Sequence, residues 1–347
     1  MEKYIDEISR TLKNQVGDKS VLLLISGGVD STVAGALLLK IFKSEQVHLM
    51  YMDTGLMRKN ETAVVKAILE KLGAKNIHII MCEDEFLSAL KGKTDPEEKR
   101  KIIGDLFITI QEREVSRLRL SSHTGLPQDY FLAQGSIRAD FIESGAAGSA
   151  VIKSHHNVAS PLAAAKRKEG KILEPLAGFY KDEVRELGRI LGVDEEIVNR
   201  HPFPGPGIAV RILGEVTKEK CDILREADAI YIEELRNRRG PTGKSLYDEI
   251  WQAFAVLLPI RSVGVAVSGA SADSSTANAG GEKAERKYGW VLALRAITSK
   301  DGMTASVYPF ETRDLLEISE RITNTVKEIG RVTYDISNKP PATIEWE

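Results

Sequence analysis

Ser26, Gly27, Gly28, Val29, Asp30, Ser31 and Thr32 stand directly after an unbroken apolar run over residues 21–25 and ahead of a helical pattern that continues through Lys40. Two adjacent glycines let backbone approach a ligand closely, three hydroxyls add donors, and the start of a helix contributes free N–H groups and a partial positive charge. The chemistry that suits such a loop is the binding of a phosphate or pyrophosphate. An isolated Ser-Gly-Gly would equally make a turn capped by Asp30; the full run between a strand and a helix points to a nucleotide. The loop lacks the Gly-Lys-Ser/Thr ending that places a lysine on β and γ phosphates. Residues 240–245 (Gly-Pro-Thr-Gly-Lys-Ser) do have that ending, but Arg238 occupies the position of the first glycine and a charged helix, not a strand, precedes them.

Further groups could join this loop. Asp53, Thr54 and Gly55 close a second apolar run, where they either terminate a strand or reach adenine or ribose. Gln134, Gly135 and Ser136 close a fourth; Gln134 can hydrogen-bond and Gly135 lets backbone approach a ligand. Asp140 and Glu143 follow, carboxylates that hold a magnesium ion together with phosphate oxygens or sit as ordinary surface acids. Lys153, His155 and His156 gather in a polar stretch. Adjacent histidines on a strand point to opposite faces and make no obvious metal pair, so a phosphate or nucleotide contact is the better use. Lys153 would supply a mobile point charge for negative charge developing on phosphate. Arg200 and Arg211 carry guanidinium forks that either clamp phosphate or form surface pairs.

Holding these loops together requires a particular architecture. After an amphipathic lead-in helix over 1–16, apolar runs at 21–25, 47–52, 77–81 and 130–133 alternate with helical patterns through 40, over 60–72 and between 83 and 120. Alternating strands and helices predict a parallel sheet covered on both faces, with ligands outside the carboxyl ends of its strands. Residues 202–207 (Pro-Phe-Pro-Gly-Pro-Gly) cannot continue a helix or a central strand, which places a domain boundary there. The expected domains are 1–203 and 204–347. In the second, strands are expected over 208–216, 253–267, 290–298 and 331–336, and helices over 217–236 and 312–327. The Ser/Ala/Gly-rich stretch 268–281 has no periodicity and is expected to be a loop.

Composition narrows the function classes. The chain has 347 residues, 42% apolar, with 48 Lys and Arg against 50 acidic residues, so no global basic field exists to hold a nucleic acid. Two cysteines, Cys82 and Cys221, show no paired spacing, which argues against zinc, a redox pair or a disulfide framework and fits a reducing cytoplasm. The first residues lack a leader's basic and apolar regions, and no apolar run approaches a membrane span.

The loop over 26–32 resembles the PP-loop of N-type ATP pyrophosphatases. Residues 153–158 (Lys-Ser-His-His-Asn-Val), 180–188 (Tyr-Lys-Asp-Glu-Val-Arg-Glu-Leu-Gly), 200–207 (Arg-His-Pro-Phe-Pro-Gly-Pro-Gly), 301–304 (Asp-Gly-Met-Thr) and 339–347 (Lys-Pro-Pro-Ala-Thr-Ile-Glu-Trp-Glu) look like the signatures of GMP synthetases, in the same order along the chain. The resemblance implies a doubly wound, mostly parallel ATP-pyrophosphatase domain and a smaller α+β dimerisation domain. It implies ATP and Mg²⁺ as cofactors, Lys153 and Asp30 as catalytic groups, and Asp140 as the metal ligand. ATP and pyrophosphate fall to residues 26–32 with Asp53, Gln134 and Gly135. XMP falls to Lys339, Thr343, Ile344 and Glu345, with Arg211 as a clamp. Ammonia would arrive free or from a separate glutamine amidotransferase subunit, because the fused family's glutaminase is expected to be absent, and a homodimer would form through the second domain. Three departures keep other readings open. Residues 159–162 are Ala-Ser-Pro-Leu where the family has Gly-Gly-Leu-Pro, 136–140 differ from Thr-Leu-Tyr-Pro-Asp except at Asp140, and 263–270 depart from the family's purine-site segment. A paralogue that adenylates another nucleotide, or a non-catalytic nucleotide-binding subunit, fits these changes too.

Overall fold

The structure, a computed structural model, describes residues 1–120, 125–138, 160–266, 285–300 and 302–347. Asp140, Glu143, Lys153, His155, His156 and the stretch 268–281 lie outside the described residues. The chain divides into two units, Met1–Leu90 with Glu97–Gly207, and Lys91–Pro96 with Ile208–Glu347.

In the first unit the order is α1 (Glu2–Val16), β1 (Ser20–Ile25), α2 (Val29–Ile41), β2 (Val47–Asp53), α3 (Glu61–Lys71), β3 (Asn76–Met81), α4 (Glu83–Leu90), α5 (Pro96–Leu120), β4 (Tyr130–Ala133), α6 (Pro161–Lys168), β5 (Ile172–Leu173), α7 (Lys181–Ile190) and α8 (Glu195–Val198). The five strands form one sheet in the order β3-β2-β1-β4-β5, every pair parallel. β1 is central, and its unbroken apolar run follows from burial on both faces. Val21, Leu23 and Ile25 pack with Leu12 of α1, Val33 and Leu37 of α2 and Leu187 of α7. Leu22, one residue out of phase, packs on the opposite face with Met50, Leu132, Val115 of α5 and Ala163 of α6. Helices therefore cover both faces, the doubly wound arrangement expected. Ser160 starts α6 by accepting the Ala163 N–H at 3.1 Å, with Pro161 at the first helical position.

The second unit holds a 3₁₀ turn (Gly207–Arg211), α9 (Lys218–Asn237), α10 (Leu246–Glu249), β6 (Gln252–Ala266), β7 (Glu285–Thr298), β8 (Ser306–Val307), α11 (Thr312–Thr325) and β9 (Ile329–Tyr334). β7 pairs antiparallel with β6 and β8 and parallel with β9. The strand expected over 208–216 is instead the 3₁₀ turn followed by a single bridge between Ile212 and Leu257. Ile208, Ala209, Val210 and Ile212 are all buried, and a short apolar run, here interrupted by Arg211, cannot be told from a strand by periodicity. Gly207, with φ of 64°, turns the chain just before it; a Cβ there would lie 2.1 Å from the Leu56 carbonyl oxygen. No helix among the described residues is long and apolar enough to cross a membrane.

Candidate nucleotide site

From β1 the sheet grows to one side through β2 and β3, and the chain then returns to place β4 on the other side of β1. The order reverses between β1 and β4, and a crevice opens at such a point, outside the carboxyl ends of the two strands. Ser26–Thr32 leaves β1 there and residues 134–135 leave β4. The two are in contact: a Cβ on Gly135 would lie 3.1 Å from Ser31 Cα and 3.2 Å from Ser31 N. Gln134 is buried beside it, its N–H bonded to the Leu173 carbonyl at 2.9 Å.

The loop is shaped by its own hydroxyls. The Ser26 N–H donates to Ser31 Oγ at 3.2 Å, the two serine hydroxyls are 3.0 Å apart, and the Gly28 N–H reaches Ser26 Oγ at 3.3 Å. Thr32 Oγ1 and Ser31 Oγ both donate to the Gly28 carbonyl, at 2.9 and 3.2 Å. Gly28 caps α2 without a side chain of its own, so first-turn N–H groups face the crevice end of the helix. Val29 contributes backbone only, because its side chain is in the core. Gly27 adopts φ of 79°, and a Cβ there would meet Val65 Cγ2 at 2.9 Å and Glu61 Oε1 at 3.0 Å.

Two contacts escaped sequence reading. Lys181, the first residue of α7, donates to both carboxylate oxygens of Asp30, at 2.8 and 2.7 Å. Arg200 donates from Nη1 to the Gly27 carbonyl at 2.9 Å and pairs through Nη2 with Glu61, whose side chain is 5% exposed. In a trans peptide the carbonyl and the following N–H point in opposite directions, so holding the Gly27 carbonyl fixes the direction of the Gly28 N–H. Arg200 is thus a brace behind the loop. Both residues lay inside segments that the sequence singled out, but only the fold brings them to residues 26–32.

Asp53 shapes its own turn: Oδ1 accepts from the Gly55 N–H at 2.9 Å and Oδ2 from Thr62 Oγ1 at 2.5 Å. Burial pushes the neighbouring Tyr51 hydroxyl well above the usual tyrosine range, and Asp53 and Glu61 add to this. Among the described residues no three His, Cys, Asp or Glu side chains are grouped to hold a metal ion. Cys82 is buried, its thiol pushed up to about 12 by burial. The loop over 240–245 closes on its own chain, Glu249 accepting from the Thr242 N–H at 2.9 Å and from Thr242 Oγ1 at 2.5 Å.

In the second unit the C-terminal tail is docked. Arg211, 1% exposed, lies 4.1 Å from the Phe254 ring centroid and forks onto Glu345, Nε to Oε2 at 3.1 Å and Nη2 to Oε1 at 2.9 Å. Gln252 Nε2 adds a third bond to Glu345 at 2.8 Å. Ile344 packs on Phe254, Val256 and Ala293. Lys339 Nζ donates to the Gly302 carbonyl at 2.8 Å, and Thr343 Oγ1 to the Glu345 carbonyl at 2.5 Å.

A two-glycine loop between a strand and a helix, at the switch point of a five-stranded parallel sheet, defines the first unit as a doubly wound α/β fold with a crevice suited to a ligand. Residues 1–120 match the NAD synthase family and residues 242–346 the GMP synthase C terminal domain. The chain is 48% identical to GMP synthase (glutamine-hydrolyzing) of Zymomonas mobilis over 97% of its own length and 58% of that protein's. With the Bdellovibrio bacteriovorus protein of the same name it shares 48% identity over 99% of its length and 62% of the relative's. It therefore spans about three fifths of these relatives. Among solved structures, an NH3-dependent NAD synthetase from Campylobacter jejuni aligns with a TM-score of 0.41 and 16% identity over 57% of this chain and 76% of that one. Over nearly its whole length the chain is thus similar to a part of these GMP synthases.

Proposed function

We propose that this chain catalyses the ATP-dependent amination of XMP to GMP, releasing AMP and pyrophosphate. The observation that carries the reading is the loop Ser26–Thr32, shaped by its hydroxyls, braced by Arg200 and set at the switch point, in a chain 48% identical to GMP synthases. In this reaction O2 of XMP attacks the α phosphorus of ATP, and the bond to the bridging oxygen breaks. Pyrophosphate leaves into the loop, where the N–H groups at the start of α2 receive its charge. Ammonia then adds at C2 of the adenylyl intermediate and AMP departs with the oxygen that was O2. No side-chain nucleophile is needed; the protein positions two nucleotides and stabilises charge on phosphate.

Lys153 is the residue proposed to follow that charge. Magnesium would enter with ATP, with Asp140 as the proposed protein ligand; Asp30 is engaged by Lys181, and Asp53 by Gly55 and Thr62. Lys339, Thr343, Ile344 and Glu345 are proposed to contact XMP. Arg211 would then act by orienting the Glu345 carboxylate. Ammonia would come free or from a separate glutamine amidotransferase subunit, in keeping with the glutamine-hydrolyzing name of the relatives. The enzyme is proposed to be cytoplasmic and to form a homodimer through its second unit.

The test is pyrophosphate release with Mg-ATP, XMP and ammonium, read beside GMP formation. Equal amounts of both support the assignment. The sequence departures at 136–139, 159–162 and 263–270 favour one second reading, the same adenylation of a different nucleotide; pyrophosphate release with another acceptor but not with XMP would establish it.

A further inference from the structure

Arg295, near the end of β7, has no exposed surface, although nothing in the fold of a β-strand requires a guanidinium there. A buried charge is costly unless it is paired and hydrogen-bonded, and an apolar residue would fill a sheet interior at lower cost. The partners of Arg295 all lie beyond the last strand. Nη1 donates to the Ser337 carbonyl at 2.5 Å and more weakly to the Asp335 carbonyl at 3.4 Å; Nη2 donates to the Thr343 carbonyl at 3.1 Å; and the Asp335 carboxylate lies 3.3 Å away. One planar fork thus joins two carbonyls that are six residues apart in sequence. Apart from one bridge between Lys339 and Ala305, the tail is held by side chains and not by secondary structure. None of residues 336–347 is buried, none is in a helix or strand, and Ile344 is its one side chain in a hydrophobic cluster.

We infer that Arg295 is the positioning residue of the purine-nucleotide site: it staples the C-terminal tail into its binding shape before any nucleotide arrives, while Arg211 fixes the carboxylate of Glu345 at the far end. This rests on the proposal that the tail receives XMP. A tail already ordered does not spend binding energy on its own ordering, so the affinity for the acceptor nucleotide depends on Arg295 although Arg295 need not touch it. The staple works through backbone carbonyls, so the side chains of Thr343 and its neighbours stay available. Lysine cannot replace it: an ammonium is a point charge without the fork that reaches Ser337 and Thr343 together.

The experiment is hydrogen exchange of the nucleotide-free chain, with steady-state kinetics alongside, for the wild type, Arg295→Lys and Arg295→Met. Tail amides over 335–347 should exchange about tenfold faster in both variants, with KM for XMP up by about tenfold and KM for ATP within about twofold of wild type. Exchange of α9 reports global folding. Should Arg295→Met unfold, Arg295→Lys, which keeps the charge beside Asp335, carries the test. Unchanged tail exchange in folded Arg295→Lys overturns the inference, and so does a KM for ATP that rises as far as that for XMP. A wild-type chain that makes no GMP would overturn the function proposed above, whereas the exchange arm alone decides the staple.

Discussion

Replacing Gly135 by alanine puts one methyl group between two backbone segments that have no freedom to rotate away. The new Cβ would lie 3.1 Å from Ser31 Cα, 3.2 Å from Ser31 N and 3.4 Å from Asp30 C. Carbon atoms rest at about 3.5–4.0 Å, so the β4 loop and the start of α2 must separate by roughly half an ångström. Overpacking of this kind costs about 1–3 kcal/mol of stability, which leaves the domain folded. The larger effect falls on catalysis: a displacement of about 1 Å at a positioning group costs on the order of a hundredfold, so half of that predicts about a tenfold loss. The assay is pyrophosphate release as a function of ATP, with XMP and ammonium saturating. The expected result is a tenfold fall in kcat/KM for ATP with KM for XMP unchanged. Gly35→Ala, within α2, is the control. Its Cβ would meet chiefly side-chain atoms, the nearest being Ile25 Cδ1 at 3.3 Å, which can shift, so activity should hold. A Gly135→Ala protein that stays folded with kcat/KM within twofold of wild type would refute the argument that the two loops form one cradle.

Arg200→Met leaves Glu61 buried without its cation, which should cost about 3–5 kcal/mol; the double variant with Glu61→Gln should recover part of that loss in urea unfolding, and strictly additive losses would contradict the pairing. Lys181 and Asp30 are 43% and 30% exposed, so Lys181→Met should cost under about 1 kcal/mol of stability. It would, however, free a carboxylate beside the departing pyrophosphate, and kcat should fall by about tenfold in the pyrophosphate-release assay. His48 and His78 share a contact of 3.1 Å in the sheet, and burial, reinforced by the charge of His78, lowers His48 from its ordinary 6.5 to about 4. Burial lowers His78 as well. The unfolded chain binds the extra proton first, so stability is full above pH 6.5 and is lost as pH falls toward 4, by about 2 kcal/mol between pH 7 and 5 from His48 alone. Denaturant unfolding across that range should show the slope, and His48→Leu should flatten it.

The sheet was legible in sequence wherever a strand is buried on both faces, because Val21 to Ile25 is a continuous apolar run and Val47 to Met52 is broken only by His48. β5 was not legible: a two-residue strand carries no period. The apolar residues around Arg211 misled at 208–212, where burial comes with a 3₁₀ turn. The loop at 26–32 could be read because its glycines, hydroxyls and helix start are local. Its supports are not local, since Lys181 is 151 residues from Asp30 and Arg200 is 173 from Gly27, and neither contact leaves a mark on spacing. Arg295 sits in an otherwise apolar run, where sequence alone gives no sign that its partners lie in the tail.

The central claim is that the oxygen at C2 of the acceptor becomes an oxygen of AMP. Turnover of XMP labelled with ¹⁸O at C2, with unlabelled ATP and ammonium, tests it directly by mass spectrometry of the products. The account predicts one ¹⁸O in AMP and none in pyrophosphate. Label released to water or carried by pyrophosphate, or GMP formed without AMP, would contradict adenylation of XMP as the step this fold performs.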